Sequence, residues 1–469
     1  MSKVGNEKDR HVSERIYFHA RLFLPLFSTN KKEECTMAYE KVDMSKPVPE
    51  RLGFDPKSVK KLSFLEMLKK VGPGIIATGI VIGPGNITTS AMLGANYGYT
   101  MMWLLIPVII MGITFTMASY RISTMTGMPV IHAINHYFGR VAAAFCGTAL
   151  FLACFFFTLG NITGTGAGMT LIFGFDWRIG ALIMLAVLAF CYLSKGVYGK
   201  VEKGILICII GMIVSFFATL VATGGPNWGS FGQGLTNWKF ANNSFATALG
   251  YISTNAAVTA GIYGTYLGFE KDWKKEDLFN GAMRADAIFH ITTVVLISGS
   301  IVLVGAIVLN PNGIAIKAPA QLGDLLRPFL GNAAPIIMGV AIIGAGFSSL
   351  LGNTQRGVVL FNAGVNKETA LDSKAVKIPC FVCLAVASVI CFSYGGSPTQ
   401  LIFIANVATS IATPVAGLFM VLILWKKELF NGYKAPRALQ ISMTVCYLFA
   451  VYMTINALTS QIPKLIHSF

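Results

Sequence analysis

Acidic residues are scarce in this chain: 21 Asp and Glu stand against 37 Lys and Arg in 469 residues, and charged residues make up only 12% of the whole. Ten of the acids and fifteen of the bases lie before residue 71, which leaves long stretches with no carboxylate, including everything between Arg140 and Asp176. There is no Gly-Lys-Ser/Thr phosphate loop and no nucleophile elbow, which argues against an ATP-driven pump or an enzyme. No cofactor is implied. The excess of base does not mark a nucleic-acid binder, because no aromatic-studded basic stripe accompanies it. Nine cysteines are an odd number, and most fall inside apolar runs. Cys380 and Cys383 have CxxC spacing but open an apolar run, and they read as packing thiols rather than a redox or zinc pair.

What the chain has in abundance is apolar length. Hydrophobic residues reach 54%, and several runs approach the roughly 20 residues that cross a bilayer as helix. The fold expected is an all-α integral membrane protein with eleven spans: Val71–Ala95, Thr100–Ser119, Val141–Asn161, Ile179–Leu193, Gly204–Thr223, Phe245–Leu267, Ala285–Leu309, Ala333–Leu360, Ile378–Phe392, Leu401–Trp425 and Ala438–Ile462. Loops after the even-numbered spans hold seventeen Lys and Arg, Arg356 among them, while the other side with the C-terminus holds five. The positive-inside rule then puts the N-terminus in the cytoplasm and the C-terminus outside, in a multi-pass protein of the cell membrane. Residues 1–62 read as a largely disordered cytoplasmic tail, within which Met37 offers an alternative start. Residues 63–469 form the transmembrane domain, and "SFLEMLKK" makes an amphipathic lead-in on the membrane surface.

Two spans are interrupted. In the first, Gly83-Pro84-Gly85-Asn86 removes a helical hydrogen bond and weakens its neighbours. In lipid the freed groups are tolerated only beside protein or a water-filled cavity. In the sixth, Ser253, Thr254, Asn255 and Thr259 cluster among small residues. Breaks five spans apart are what an inverted repeat of two five-helix units produces, over 71–223 and 245–425, with 438–462 as an extra helix. Transporters built this way bind substrate where the broken helices meet. The plainer alternative is a pair of small-residue packing faces.

Several passages resemble the natural-resistance-associated macrophage protein (Nramp) family of metal-ion transporters. They are "VGPGIIATGIVIGPGN" followed by "GANYGYTMMW", then "RISTMTGMPV", "YGKVEKGILI", "LLRPFLGNAAPIIMGVAIIGAGFSSLLGNTQRG" and "NVATSIATPVAG". The likeness runs in order through residues 64–440 and implies the leucine-transporter fold. It also implies a metal site made by an Asp and the Asn of the first motif, with a carbonyl and a Met from the sixth helix. Here the Asp position is Gly83 and the Asn is Asn86; Tyr251 falls at the carbonyl position and Thr254 at the Met. Asn255 and Ala256 replace the family's Pro-His, and a Gln of the tenth span corresponds to Asn406.

The candidate substrate site is therefore Gly83, Asn86, Tyr251, Thr254, Asn255 and Asn406, with Asn86 and Thr254 left to touch a metal. Magnesium and manganese favour carboxylates and softer metals favour thioethers, and neither ligand is present. A metal cation, a small polar or zwitterionic solute, and a non-transporting sensor on the same scaffold all stay open. The partners expected are that substrate and the lipid bilayer, with no nucleic acid, and a monomer. Asp286 and His290, four apart, could relay a proton, but Asp286 and Glu202 read first as partners of neighbouring cations, Arg284 or Lys200 and Lys203. His132 and His136 share a helical face in a loop, short of a full ligand set. Asn86 and Asn161 each open a glycosylation sequon, but both fall in or beside spans; Asn242 opens another in an outer loop.

Overall fold

The computed structural model describes residues 43–193, 210–211, 213–271, 273–371 and 373–466. Pro73 and Pro84 each sit in the first turn of a helix, where the missing N–H costs nothing. They begin α1 (Pro73–Val81) and α2 (Pro84–Tyr97), two halves of one span bent by 63°. α3 (Leu105–Thr126) ends at Gly127, which adopts the left-handed backbone that lets a helix stop sharply. α4 runs over Val130–Phe173 with a kink at Gly139, where φ is +82°. α5 (Trp177–Leu193) and the apolar helix α6 (Ile213–Ala222) follow. α7 (Trp228–Thr236) precedes Trp238, which stacks on Trp103 at 5.5 Å.

The second half opens with another broken pair, α8 (Phe245–Asn255) and α9 (Val258–Glu270). Next come α10 (Ala282–Val304), α11 (Ala334–Gly364) and α12 (Lys374–Ser393). α13 (Pro398–Ala408) and α14 (Ala412–Leu424) make one span, and α15 (Arg437–Ile466) closes the chain. Among the described residues there is no strand, and seven helices are long and apolar enough to cross a membrane, with α1–α2 as an eighth. The fifth expected span, Gly204–Thr223, and Glu202 lie partly or wholly outside the described residues.

α4 and α11 form the spine. Their backbones touch through glycine: a Cβ on Gly168 would lie 2.9 Å from the Gly339 carbonyl, and one on Gly147 would lie 2.8 Å from that of Leu360. Small residues permit this approach in apolar surroundings, where dispersion and close packing drive association.

Three expectations change. Residues 43–62 are ordered, not part of a disordered tail. Val48 is fully buried and its N–H donates to the Asn431 carbonyl at 2.7 Å, while the buried Arg51 donates to the Leu429 carbonyl at 2.9 Å. Such a contact outweighs local polarity, which is what the tail reading used. The third span continues past Asn161 through Gly164, Gly166 and Gly168, which keep helical backbone, and stops only at the left-handed Gly174. Arg356, counted with the loop cations, sits inside α11 at 2% exposure.

Ahead of α1, the short helix Phe64–Lys70 is fixed by a capping box between Ser63 and Glu66. Phe64 and Leu65 on it are exposed.

Candidate functional site

The two breaks meet. Asn86, in the first turn of α2, donates from Nδ2 to Asn255 Oδ1 at 2.8 Å, and Asn255 ends α8. Asn255 in turn donates from Nδ2 to the Tyr251 carbonyl at 2.8 Å. From the tenth span, Asn406 donates from Nδ2 to the Gly85 carbonyl at 2.9 Å and accepts from Ser253 Oγ through its own carbonyl at 3.0 Å. Asn86, Asn255 and Asn406 are all fully buried. Side-chain bonds thus tie the two breaks and the tenth span to one another.

Neither glycine of the first break has room for a side chain, Gly85 because of Asn406 and Gly83 because of α4 and α11. A Cβ on Gly83 would sit 2.5 Å from Ser349 Oγ and 2.8 Å from Asn161 Oδ1. Ser349 Oγ donates to the Ile80 carbonyl at 2.6 Å and receives Asn161 Nδ2 at 3.0 Å. Asn353 also donates to the Ile80 carbonyl, at 3.1 Å. The orphan carbonyls at the end of α1 are therefore held by α11.

Three amide oxygens around the first break have no donor: Asn86 Oδ1, Asn161 Oδ1 and Asn406 Oδ1. Their orientation is dictated by chemistry. The Gly85 and Tyr251 carbonyls can only accept, so Asn406 and Asn255 must present nitrogen to them, and Asn255 must then show oxygen to Asn86. Ser349 spends its proton on Ile80 and so accepts from Asn161. Buried acceptors without donors are rare in folded chains. Here they concentrate around the first break, and they could accept from N–H or O–H groups or face a cation.

Thr254 does not bond Asn86, although its hydroxyl accepts from Asn255 Nδ2 at 3.4 Å. Its hydroxyl donates back to the Gly250 carbonyl at 2.9 Å, so Asn255, not Thr254, meets Asn86. Tyr251 lends its carbonyl to Asn255 and its hydroxyl to Ser298 at 3.1 Å. Sequence reasoning missed Asn161, Ser349, Asn353 and Arg356. Asn161 showed only a glycosylation motif, and Arg356 looked like an end-of-span charge.

Asp286 lies elsewhere. Its carboxylate accepts the N–H groups of Gly72 and Gly74 at 2.8 and 2.9 Å and the Tyr120 hydroxyl at 2.8 Å, at the N-terminus of α1. An anion there is favoured by the helix dipole. Its hydrogen-bond partners are backbone and phenol, and the cation nearby is Lys271, where Arg284 was expected. His290, one turn on, bonds Thr78 Oγ1 at 2.8 Å, and no bond links it to Asp286. His132 pairs with Tyr266 at 3.1 Å and His136 packs on Tyr137. Among the described residues no three His, Cys, Asp or Glu side chains gather as a metal site. Cys380 and Cys383 are buried, free thiols.

Known proteins agree with the architecture. Residues 74–460 match the family described as natural resistance-associated macrophage protein-like (Nramp). A divalent metal cation transporter, MntH, of Brucella suis biovar 1 is 24% identical over 419 residues, covering 87% of this chain and 89% of that protein. The protein of that name from Agrobacterium fabrum is 26% identical over 404 residues, with 83% and 86% covered. A crystal structure of a mutant Eremococcus coleocola manganese transporter superposes with a TM-score of 0.67 at 15% identity, over 87% of this chain and 92% of that one. MhsT in complex with L-phenylalanine superposes at 0.55 and 14% identity, over 84% and 99%. These matches establish a leucine-transporter-like fold.

Proposed function

Because this chain belongs to the Nramp family of multi-pass membrane transporters, which are not enzymes, we propose that it is a secondary-active transporter whose central site has left divalent-metal chemistry for a small polar or zwitterionic solute. The observation that carries this is the trio of buried, donor-free amide oxygens on Asn86, Asn161 and Asn406, with no carboxylate and no thioether among them. Amide oxygens accept hydrogen bonds from an ammonium or hydroxyl group at little cost. They do not supply the charge that offsets stripping water from a dication. Gly83 stands where the family has its metal-binding Asp, and Thr254 where it has its Met. Solute release goes toward the basic side of the protein, which the positive-inside bias places in the cytoplasm; omitting Arg356 leaves sixteen basic residues there against five. The protein acts as a monomer in the cell membrane. We read Asp286 as the anchor of the α1 N-terminus, with His290 beside it, and leave them no step in the solute's path.

The relatives' names favour a second reading, a divalent cation held weakly by Asn86 and neighbouring carbonyls. Thermal unfolding of the purified protein separates the two, since a ligand stabilises the native state with the logarithm of its concentration. Zwitterionic and neutral polar solutes are expected to raise the Tm and manganese is not. Stabilisation by manganese alone would overturn the proposal.

A further inference from the structure

Arg356 belongs to none of the bonds that hold the breaks together. It lies seven residues beyond Ser349 on α11, about 10 Å along the helix, on the side we assign to the cytoplasm. One donor nitrogen reaches Asn353 Oδ1, and the Cys154 thiol lies beside it. Its Nε and its other terminal nitrogen have no hydrogen-bond partner, although the side chain is 2% exposed. No salt bridge reaches it among the described residues. A guanidinium does not shed its proton, so this charge is held inside the bundle with no counter-ion among the described residues. Leaving it so is expensive.

The guanidinium lines a cavity of about 10 Å³, space for about one water, with Ser253, Ala257, Thr259, Thr409 and Thr413. Those residues come from both halves of the broken sixth span and from the tenth, the same elements that place Asn255 and Asn406. Every polar partner around the cavity is a hydroxyl or a carbonyl, and no carboxylate lines it. The cavity is thus electropositive, and Ser253 ties it to the amide cluster, because its hydroxyl donates to the Asn406 backbone carbonyl at 3.0 Å.

We propose that Arg356 forms an inner subsite that recognises the carboxylate of an anionic or zwitterionic solute and repels divalent cations. The inference deepens the transport reading above and rests on it. An ammonium or hydroxyl would be held at Asn86, Asn161 and Asn406, and the carboxylate would meet Arg356 as the solute moves inward. Charge-assisted bonds to a guanidinium are about twice as strong as neutral ones, so the second contact favours acids over their amides.

The test uses the purified full-length protein and two probes of one shape, formate and formamide, at constant ionic strength. Formate is expected to raise the Tm with the logarithm of its concentration, and formamide to do so roughly tenfold less effectively or not at all. Arg356→Gln should abolish the difference, and Arg356→Lys should keep part of it. Equal effects of formate and formamide on the unaltered protein would overturn the inference whether or not the variants fold. So would equal stabilisation by chloride, or a formate effect that survives Arg356→Gln. Solute binding that depends on Asn86 and Asn406 but not on Arg356 would remove this subsite and leave the transport reading standing. A formate effect through Arg356 without uptake of any solute would do the reverse.

Discussion

Putting a carboxylate back at position 83 asks directly whether its absence excludes metal. The present packing opposes it. A Cβ on Gly83 meets Ser349 Oγ at 2.5 Å and Asn161 Oδ1 at 2.8 Å, and overfilling a packed site costs about 1–3 kcal/mol. Gly83→Asp alone should therefore lower the Tm. Ser349→Gly removes both atoms of Ser349 that clash, at about 1 kcal/mol for the lost bond to Ile80 and about as much again for a glycine within a helix. In the double variant, a dication about 4 Å from the new carboxylate gains about 8 kcal/mol gross at an effective dielectric of 20. Arg356, on the order of 10 Å away, opposes it by about 3 kcal/mol on the same basis. Desolvation offsets part of the remainder. A net gain of about 3 kcal/mol is expected, roughly a hundredfold in Kd. Manganese titrations followed by thermal unfolding of the wild type, both single variants and the double variant measure this. One result would refute the reasoning: a double variant that folds but has no more manganese affinity than wild type.

Asn86→Ala leaves Asn255 Oδ1 buried without its donor, and a loss of about 1–3 kcal/mol is expected in thermal or denaturant unfolding. Asp286→Asn exchanges an anion for an amide whose nitrogen must face N–H or O–H donors of Gly72, Gly74 or Tyr120. It should destabilise by about 2–4 kcal/mol, with proteolysis at the start of α1 as a second readout. For orientation, single cysteines at the exposed Gly313 and Lys434 in a cysteine-free background should label from opposite sides of the membrane. Labelling of both from outside intact cells would overturn the topology.

Both breaks were legible from residue type. Pro84 between two glycines cannot continue a helix, and the Ser253–Asn255 cluster offers side chains that compete for backbone bonds. What could not be read was which residues lie opposite them. Asn161 and Ser349 carry no local signal. They matter because α4 and α11 press together through glycines and bring both side chains against Gly83. Arg356 follows an apolar run as loop cations do, and only the packing of Ala153 and Phe157 across from it shows that it is enclosed. Thr254 was placed by its position in a motif. The helix turns its hydroxyl onto the Gly250 carbonyl and leaves Asn255 to meet Asn86.

The central claim, that this Nramp scaffold moves something other than a divalent metal, is tested most directly by uptake into proteoliposomes. The purified protein is reconstituted, and manganese entry is followed with a metal-sensitive dye while a pH dye reports acidification. Zwitterionic and neutral polar solutes are followed in parallel as labelled compounds. The account predicts no saturable manganese entry, no metal-coupled acidification, and saturable uptake of at least one solute that is lost in Asn406→Ala. Saturable manganese uptake accompanied by acidification in the unmodified protein would contradict it.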